Sequence, residues 1–309
     1  MVTRLLVLLA TAAIVPAATS AGHPRFEPAA MAFWDAQRGV VASVDWRSCD
    51  ARGRCHFRLA ATANGGRTWA SRRDLRIGGC PTPTLAAVPG TATIWLAAAP
   101  LVLRSDDRGR TWKRVWRPFS ELSFTNARVG WAVSAAGIEA TENGGASWRR
   151  VRWPCPRALD AVHIARAGAS RGWVLCEGQP SAGQQLKAVY STGDGGRTWR
   201  LRSSAVVPGL GVPRVGRGLP GSGYGHGISF RPSGVGWLWE SRGSFLSSTD
   251  GGRTWAPLSI GKPELVEAES AQLLSDRDGF ALMRRPYDVA LERTNDGGRT
   301  WRVAKTWPR

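Results

Sequence analysis

An eight-residue pattern that recurs six times does most to limit how this chain can fold. The pattern reads Ser/Thr-x-Asp/Asn-x-Gly-x-Thr/Ser-Trp, and its copies end at Trp69, Trp112, Trp148, Trp199, Trp255 and Trp301. Successive tryptophans lie 43, 36, 51, 56 and 46 residues apart. Recurrence at such a period indicates a repeat architecture, in which each unit buries its apolar face against its neighbours.

Each copy has the residues of a tight hairpin. The acidic or amide positions are Asn64, Asp107, Asn143, Asp194, Asp250 and Asp296. Asp or Asn next to Gly favours a turn, because the backbone there needs a positive φ. The side-chain oxygen can accept hydrogen bonds from backbone N–H groups, and the flanking Ser or Thr can join the same network. We interpret these positions as structural, since a site repeated six times around a ring cannot form one active centre.

A second repeated feature lies upstream of each hairpin, where a short strand begins. These starts are Gly39-Val40, Ile94-Trp95, Gly130-Trp131, Gly172-Trp173, Gly236-Trp237 and Gly279-Phe280. Each unit therefore reads as four short strands, A to D, with the eight-residue pattern joining C to D. Short strands with regular turn signals favour a closed all-β fold. Six units of about 48 residues match the size of propeller blades.

The prediction is an all-β, six-bladed β-propeller of four-stranded antiparallel blades that forms a single domain over residues 22–309. A propeller of seven blades is the alternative. The first unit begins with a strand A and the last ends with a strand D, so no strand needs to be exchanged between the first and last blades.

Residues 1–21 have the pattern of a secretory signal peptide. Arg4 precedes an apolar run at residues 5–15, and Thr19 and Ala21 stand at the −3 and −1 positions of a cleavage site. The run is too short to span a membrane, and no later stretch reaches about 18 apolar residues. We therefore expect a secreted protein without membrane insertion.

Five cysteines, Cys49, Cys55, Cys80, Cys155 and Cys176, would meet an oxidising compartment after export. We predict the pairs Cys49–Cys55 and Cys155–Cys176, with Cys80 as the odd thiol, although the sequence alone leaves other pairings open. No Cys-x-x-Cys motif occurs and the four histidines are scattered. We expect no metal site and no cofactor.

The eight-residue pattern resembles the Asp-box, or bacterial neuraminidase repeat, of sialidases, sortilin-type receptors, some xyloglucanases and photosystem II assembly-factor propellers. A Phe seven residues before the Trp of Gly-Trp, as in Phe124 and Trp131, is most similar to the last group. Members of that group outside phototrophs are largely binding or scaffold proteins. The resemblance implies a propeller whose boxes lie on one rim and do no chemistry.

A sialidase-like site, which the same resemblance implies as the alternative, needs an arginine triad, a Tyr paired with Glu, and an Asp. The weak candidates here are Tyr224, Tyr287, Glu240 and Asp288. Their spacing does not support such a site. The Arg-Ile-Pro sequence of sialidases is also incomplete, because residues 25–28 read Arg-Phe-Glu-Pro.

The connections that follow strands B and D share one face of a propeller, and several are long here. Long ordered loops on a rigid scaffold often carry recognition. The candidate binding residues on them are Arg54, His56, Glu177, Arg214, Arg217, Tyr224, His226, Arg284, Arg285 and Tyr287. The longest connection, residues 203–227, is either a recognition loop or a solvated insertion.

The charge is strongly basic, with 42 Lys and Arg against 23 Asp and Glu. Arginine is dispersed along the chain, and no nucleic-acid motif is present, so we expect no nucleic-acid partner. Positive charge would steer an anionic partner, such as an acidic glycan, a cell-wall polymer or an acidic protein surface. We predict a secreted, monomeric, non-catalytic binding or scaffold protein, with an exo-sialidase-like or other glycoside hydrolase as the alternative.

Overall fold

The computed structural model describes residues 26–52, 54–78, 82–205, 213–241, 244–260 and 266–309. The predicted signal peptide and Cys80 lie outside these ranges. Within them, 24 strands form six four-stranded antiparallel sheets. The predicted six-bladed propeller is therefore confirmed. The seven-blade alternative is wrong, because six sheets take up all the strands of the described ranges.

The sheets follow one another along the chain, and each takes its four strands in the order A, B, C, D. The first three blades comprise β1 (Glu27–Phe33), β2 (Gly39–Asp45), β3 (Cys55–Thr62), β4 (Ala70–Ile77), β5 (Thr84–Ala87), β6 (Ile94–Ala98), β7 (Leu101–Ser105), β8 (Lys113–Val115), β9 (Glu121–Phe124), β10 (Gly130–Ser134), β11 (Gly137–Thr141) and β12 (Arg149–Arg150). The last three comprise β13 (Ala161–Arg166), β14 (Gly172–Glu177), β15 (Lys187–Thr192), β16 (Arg200–Ala205), β17 (Gly225–Phe230), β18 (Gly236–Glu240), β19 (Phe245–Ser248), β20 (Ala256–Pro257), β21 (Glu267–Leu273), β22 (Gly279–Arg284), β23 (Asp288–Thr294) and β24 (Arg302–Pro308). A 3-10 turn at Trp46–Ser48 follows β2.

The A strands line the centre of the ring, and β21 of the sixth blade contacts β1 of the first. The Gln272 amide closes this joint, accepting from the Phe33 N–H at 2.8 Å and donating to the Phe33 carbonyl at 3.0 Å. The Phe33 ring stacks on Phe280 with centroids 3.8 Å apart. Side chains thus close the ring, and none of the described strands is exchanged between the first and last blades.

The Gly-aromatic starts of the B strands have a packing reason. A Cβ on Gly130 would lie 2.4 Å from the Phe124 ring, so only glycine lets that ring cross the strand. The next residue, Trp131, is fully buried and packs toward the next blade, with its ring 5.6 Å from that of Trp199. The repeated signature therefore builds the apolar joint between neighbouring blades.

The repeated hairpins form the expected hydrogen-bond network. At Asp194, the carboxylate accepts from the Thr198 N–H at 2.9 Å, the Thr198 hydroxyl at 2.5 Å and the Thr192 hydroxyl at 2.7 Å. These hydrogen bonds, the one from the Thr198 hydroxyl above all, hold the pKa of Asp194 well below its usual range. At Asn64, the amide oxygen accepts from the Thr68 N–H at 3.0 Å and the amide nitrogen donates to the Thr68 hydroxyl at 2.8 Å.

Both predicted disulfides, Cys49–Cys55 and Cys155–Cys176, are present. Disulfides persist in oxidising compartments, so they indicate a location outside a reducing cytoplasm. No helix within the described ranges is long and apolar enough to cross a membrane.

Candidate functional site

The propeller has two unlike faces. We call the face that carries the B–C turns and the D–A connections the loop face. The opposite face, which we call the box face, carries the A–B turns and the repeated C–D hairpins. Strand direction alternates within each blade, so this division follows from the topology.

The exposed large aromatic side chains of the described ranges lie on the loop face. They are Trp46 (37% exposed), Trp116 (81%), Trp153 (39%) and Tyr287 (86%). The one other large hydrophobic residue exposed to a similar degree is Val303, on the outer strand of the sixth blade. Single exposed apolar residues are ordinary, but their confinement to one face points to an interaction surface.

Arginines without carboxylate partners accompany these aromatic residues. Arg47 follows Trp46, and Arg152 and Arg157 flank Trp153 in the connection between the third and fourth blades. All three are exposed, and none forms an ion pair with a described residue. Because a guanidinium binds carboxylates in a bidentate manner and also stacks on aromatic rings, the loop face suits an anionic partner.

Several sequence-predicted binding residues on this face already have partners. Arg54 pairs with Asp50 at 2.8 Å, and Arg285 pairs with Glu292. His56 and Tyr287 are exposed.

The central channel is a cavity with a volume of about 540 Å³. Segments of strand A, and residues beside them, line it in all six blades. Its loop-face end carries a cluster of ionisable groups. Glu177, His226 and Arg284 of this cluster were predicted from the sequence, and its other members were not. The available signal was the presence of ionisable residues in the A strands, as in Glu121 and His163.

His163 joins three blades at this end of the channel. Its Nδ1 lies 2.8 Å from the carboxylate of Glu121 on the third blade, and its Nε2 lies 3.7 Å from Glu177 on its own blade. The ring also forms a hydrogen bond with the Gly225 backbone of the fifth blade. Burial opposes the charged ring, but the Glu121 and Glu177 carboxylates prevail and raise the pKa of His163 to about 9.

Glu177 is almost fully buried, and its Oε1 has no hydrogen-bond partner in the described part of the molecule. Burial raises the pKa of the Glu177 carboxyl, against the opposing effect of His163. A Cβ on Gly225 would collide with the Glu177 carboxylate, so glycine is needed there for the two blades to approach. Glu177 is thus part of the joint between the fourth and fifth blades.

His226 and Arg284 reach the same end of the channel from the fifth and sixth blades. Arg284 pairs with Glu269 at 2.5 Å, and His226 lies near enough to act electrostatically on Glu269. Burial raises the pKa of the Glu269 carboxyl, while Arg284 opposes that shift. The third, fourth and sixth blades therefore bring charged groups of both signs to this end of the channel. No group of three or more His, Cys, Asp or Glu in the described ranges is arranged to hold a metal ion.

The bounds and the course of the connection between the fourth and fifth blades differ from the sequence prediction. Residues at both ends of 203–227 belong to β16 and β17, so the connection itself is 206–224, of which 206–212 lies outside the described residues. We call residues 213–224 the strap. The strap does not lie wholly on the loop face, because the Arg217 N–H donates to the Arg253 carbonyl of the fifth box at 2.9 Å. Arg214 lies in the same strap.

A buried lysine fixes the end of the strap that reaches the loop face. Lys187 donates to the carbonyls of Ser222 at 2.8 Å and Gly223 at 3.1 Å, and pairs with Glu240 at 2.6 Å. Both charged side chains are completely buried. Burial raises the pKa of the Glu240 carboxyl, and Lys187 opposes that shift.

Two of the residues proposed for a sialidase-like site, Glu240 and Tyr287, do not converge. Glu240 is fully buried against Lys187, whereas Tyr287 is 86% exposed on a turn of the sixth blade. The Tyr224 hydroxyl, at the end of the strap, accepts a hydrogen bond from the Gly183 N–H of the fourth blade at 3.1 Å. Asp288 begins β23, near Arg285. The Tyr–Glu pair that such chemistry needs is therefore not formed by Tyr287 and Glu240.

The chain is a six-bladed propeller whose fold is shared with proteins of low sequence identity. YCF48 from Cyanidioschyzon merolae is 17% identical, with 91% of this chain and 85% of that chain covered and a TM-score of 0.50. A Trypanosoma rangeli sialidase mutant displaying trans-sialidase activity is 12% identical, with 86% and 52% covered and a TM-score of 0.52. No protein-family model matches the sequence, and a search of curated proteins finds no match. These likenesses establish the fold, which both Ycf48 propellers and sialidases use.

Proposed function

We propose that this protein is exported and acts without catalysis, by holding an anionic partner on its loop face. The observation that carries the proposal is the confinement of exposed aromatic side chains to that face, with unpaired arginines beside them. Trp, Tyr and Arg are the residues that most often dominate binding energy at interfaces. They stand here on a rigid scaffold of paired strands.

Charge removal from each face in turn tests the proposal. Arg152→Gln/Arg157→Gln removes two charges from the loop face, and Arg197→Gln/Arg253→Gln removes two exposed charges from the box face. With immobilised dextran sulfate as the anionic probe, we expect the loop-face variant to lose affinity several-fold more than the box-face variant. Equal losses would mean that net charge alone drives binding, and would contradict the assignment of a face.

Export is supported by the two disulfides and by the signal-peptide pattern of residues 1–21. Fractionation of the cells that make the protein, followed by N-terminal sequencing, tests this part. We expect extracytoplasmic protein that begins at Gly22. Protein that stays in the cytoplasm and retains residues 1–21 would refute it.

The hydrolase alternative has its own assay. A fluorogenic sialoside should not be turned over by the wild-type protein. Turnover that is abolished by Tyr287→Phe or Tyr224→Phe would replace the binding function with a glycosidase.

A further inference from the structure

Connections that carry two exposed tryptophans flank one small hairpin of the loop face. The third blade turns between β10 and β11 through Ala135 and Ala136, which are both exposed. From one side, the connection that carries Trp116 reaches this hairpin through Arg117, which lies 3.6 Å from Glu139. From the other side, the Trp153 ring lies 3.4 Å from where a Cβ on Gly137 would stand.

We call Trp116, Trp153 and the turn between them the indole surface. The exposed side chains of the turn, those of Ala135 and Ala136, are methyl groups. A ligand on this surface would meet exposed indole rings and the exposed alanine turn.

The Trp116 side chain can stack with a ligand through one face of its ring. The Arg114 guanidinium covers one face of its ring, 4.0 Å from the ring centroid. Trp116 is nevertheless 81% exposed, so the opposite face of the ring is open to solvent. Stacking with Arg114 restricts the ring before any ligand arrives, which lowers the entropy cost of binding.

Charged groups complete the indole surface. Arg152 and Arg157 flank Trp153 in sequence and have no carboxylate partner among the described residues. The acidic residue of the same connection, Asp160, is engaged by the Gln179 amide at 3.1 Å. Positive charge on this surface is therefore available to a ligand.

The combination selects a particular ligand chemistry. Open indole faces bind flat apolar surfaces, and guanidinium groups bind carboxylates. A uronic acid residue offers both, since its pyranose ring has an apolar C–H face and carries a carboxylate. An acidic polypeptide offers carboxylates on flexible side chains, without a ring to stack. We infer that the indole surface binds a carboxylated polysaccharide, an inference that rests on the proposed function and names its ligand class.

The test compares three polymers by isothermal titration at fixed salt. Polygalacturonate supplies rings and carboxylates, its methyl ester supplies rings alone, and poly-L-glutamate supplies carboxylates alone. We expect polygalacturonate to bind most tightly. Trp116→Ala and Trp153→Ala should each weaken that binding about tenfold. Val303→Ala, which removes an exposed apolar side chain away from the loop face, should leave it unchanged.

The outcomes separate this inference from the proposed function. If poly-L-glutamate binds as tightly as polygalacturonate, and the tryptophan variants bind as the wild type does, the loop face recognises charge alone and the polysaccharide inference is overturned while the proposed function stands. If neither charged polymer binds, both fall. Unchanged melting temperatures for Trp116→Ala and Trp153→Ala would show that lost binding is not lost folding.

Discussion

The two faces of this propeller differ in the balance of arginines and acidic residues and in the exposure of their tryptophans. On the box face, the turns and hairpins hold eleven arginines and nine acidic residues. On the loop face, the described turns and connections outside the strap hold seven arginines and two aspartates. Tryptophans of the boxes pack between blades, as Trp255 does at 6% exposure, whereas Trp116 of the loop face is 81% exposed.

The difference separates residues that recur in every blade from residues that occur in one blade only. A residue that closes the same hairpin six times cannot distinguish one partner from another. A residue that occurs once, in a connection of unusual length or sequence, can do so. The box face therefore holds the ring together, and the loop face is free to differ between its blades.

The largest effect should separate the two kinds of tryptophan. Trp255→Ala removes a buried ring that packs on Phe230 and donates to the Ser203 hydroxyl at 2.9 Å. We expect its free energy of unfolding to fall by about 3–5 kcal/mol. Trp116→Ala should change that quantity by less than about 0.5 kcal/mol. Denaturant unfolding measures the free energy of unfolding of both variants. Similar losses would mean that the box tryptophan and the loop-face tryptophan do not differ in their contribution to stability.

A comparable loss should follow from Lys187→Met. The variant leaves the buried Glu240 carboxylate and two strap carbonyls without their cation, at a cost of about 3–5 kcal/mol. Lys187→Met/Glu240→Leu removes both charges and should recover part of the loss. A double variant no more stable than the single one would show that the ion pair itself is not what matters.

The His163 bridge should make stability depend on pH. The pKa of His163 in the folded protein is about 9, above an unfolded value of about 6.5. Its stabilising contribution, at most about 3 kcal/mol, is therefore complete below pH about 6.5 and is lost as the pH rises through 9. Unfolding of the wild type and His163→Gln across this range measures the difference. Parallel pH profiles would contradict the bridge.

The smallest effect should come from a single box. Asp194→Ala removes the acceptor for Thr198 and should lower the melting temperature by a few degrees. Asp194→Asn should be nearly neutral, because Asn64 and Asn143 already serve in their own boxes. The pKa of Asp194 is lowered on folding, so its contribution is present above the unfolded value of about 3.9 and is lost as the pH falls below it.

A control for the box prediction is the natural Asn box at Asn64. Asn64→Ala should also lower the melting temperature, but its loss should not depend on pH below 4. Equal melting temperatures for Asp194→Ala and Asp194→Asn would mean that the side-chain oxygen is dispensable.

The blades, the boxes and the Cys49–Cys55 disulfide were predictable because their signals are local. A hairpin such as the one at Asp194 is specified within eight residues, and Cys49 and Cys55 lie six residues apart. The strap was not predictable in the same way, since a run rich in Gly and Pro carries no pattern of its own. Its course is set by distant partners, such as Lys187 and the Arg253 carbonyl.

The candidate site was only partly predictable. Glu121 and His163 meet only because neighbouring A strands come together at the centre of the ring. The exposed tryptophans are marked in the sequence by their positions outside the repeat. Ten of the 16 tryptophans occupy the box or strand-B positions of the repeat. Trp46, Trp116 and Trp153 are among the six that do not.

Ring closure by side chains has a consequence for how the protein is made. Every sheet is assembled from one continuous stretch of chain, so no blade waits for a strand from the far end. During synthesis the blades can therefore emerge from the ribosome in order, and each blade can pair its strands as it emerges. Such pairing within one stretch of chain keeps the contact order low, and topologies of low contact order fold fast. The last step is then the meeting of Gln272 with Phe33, which joins two preformed blades.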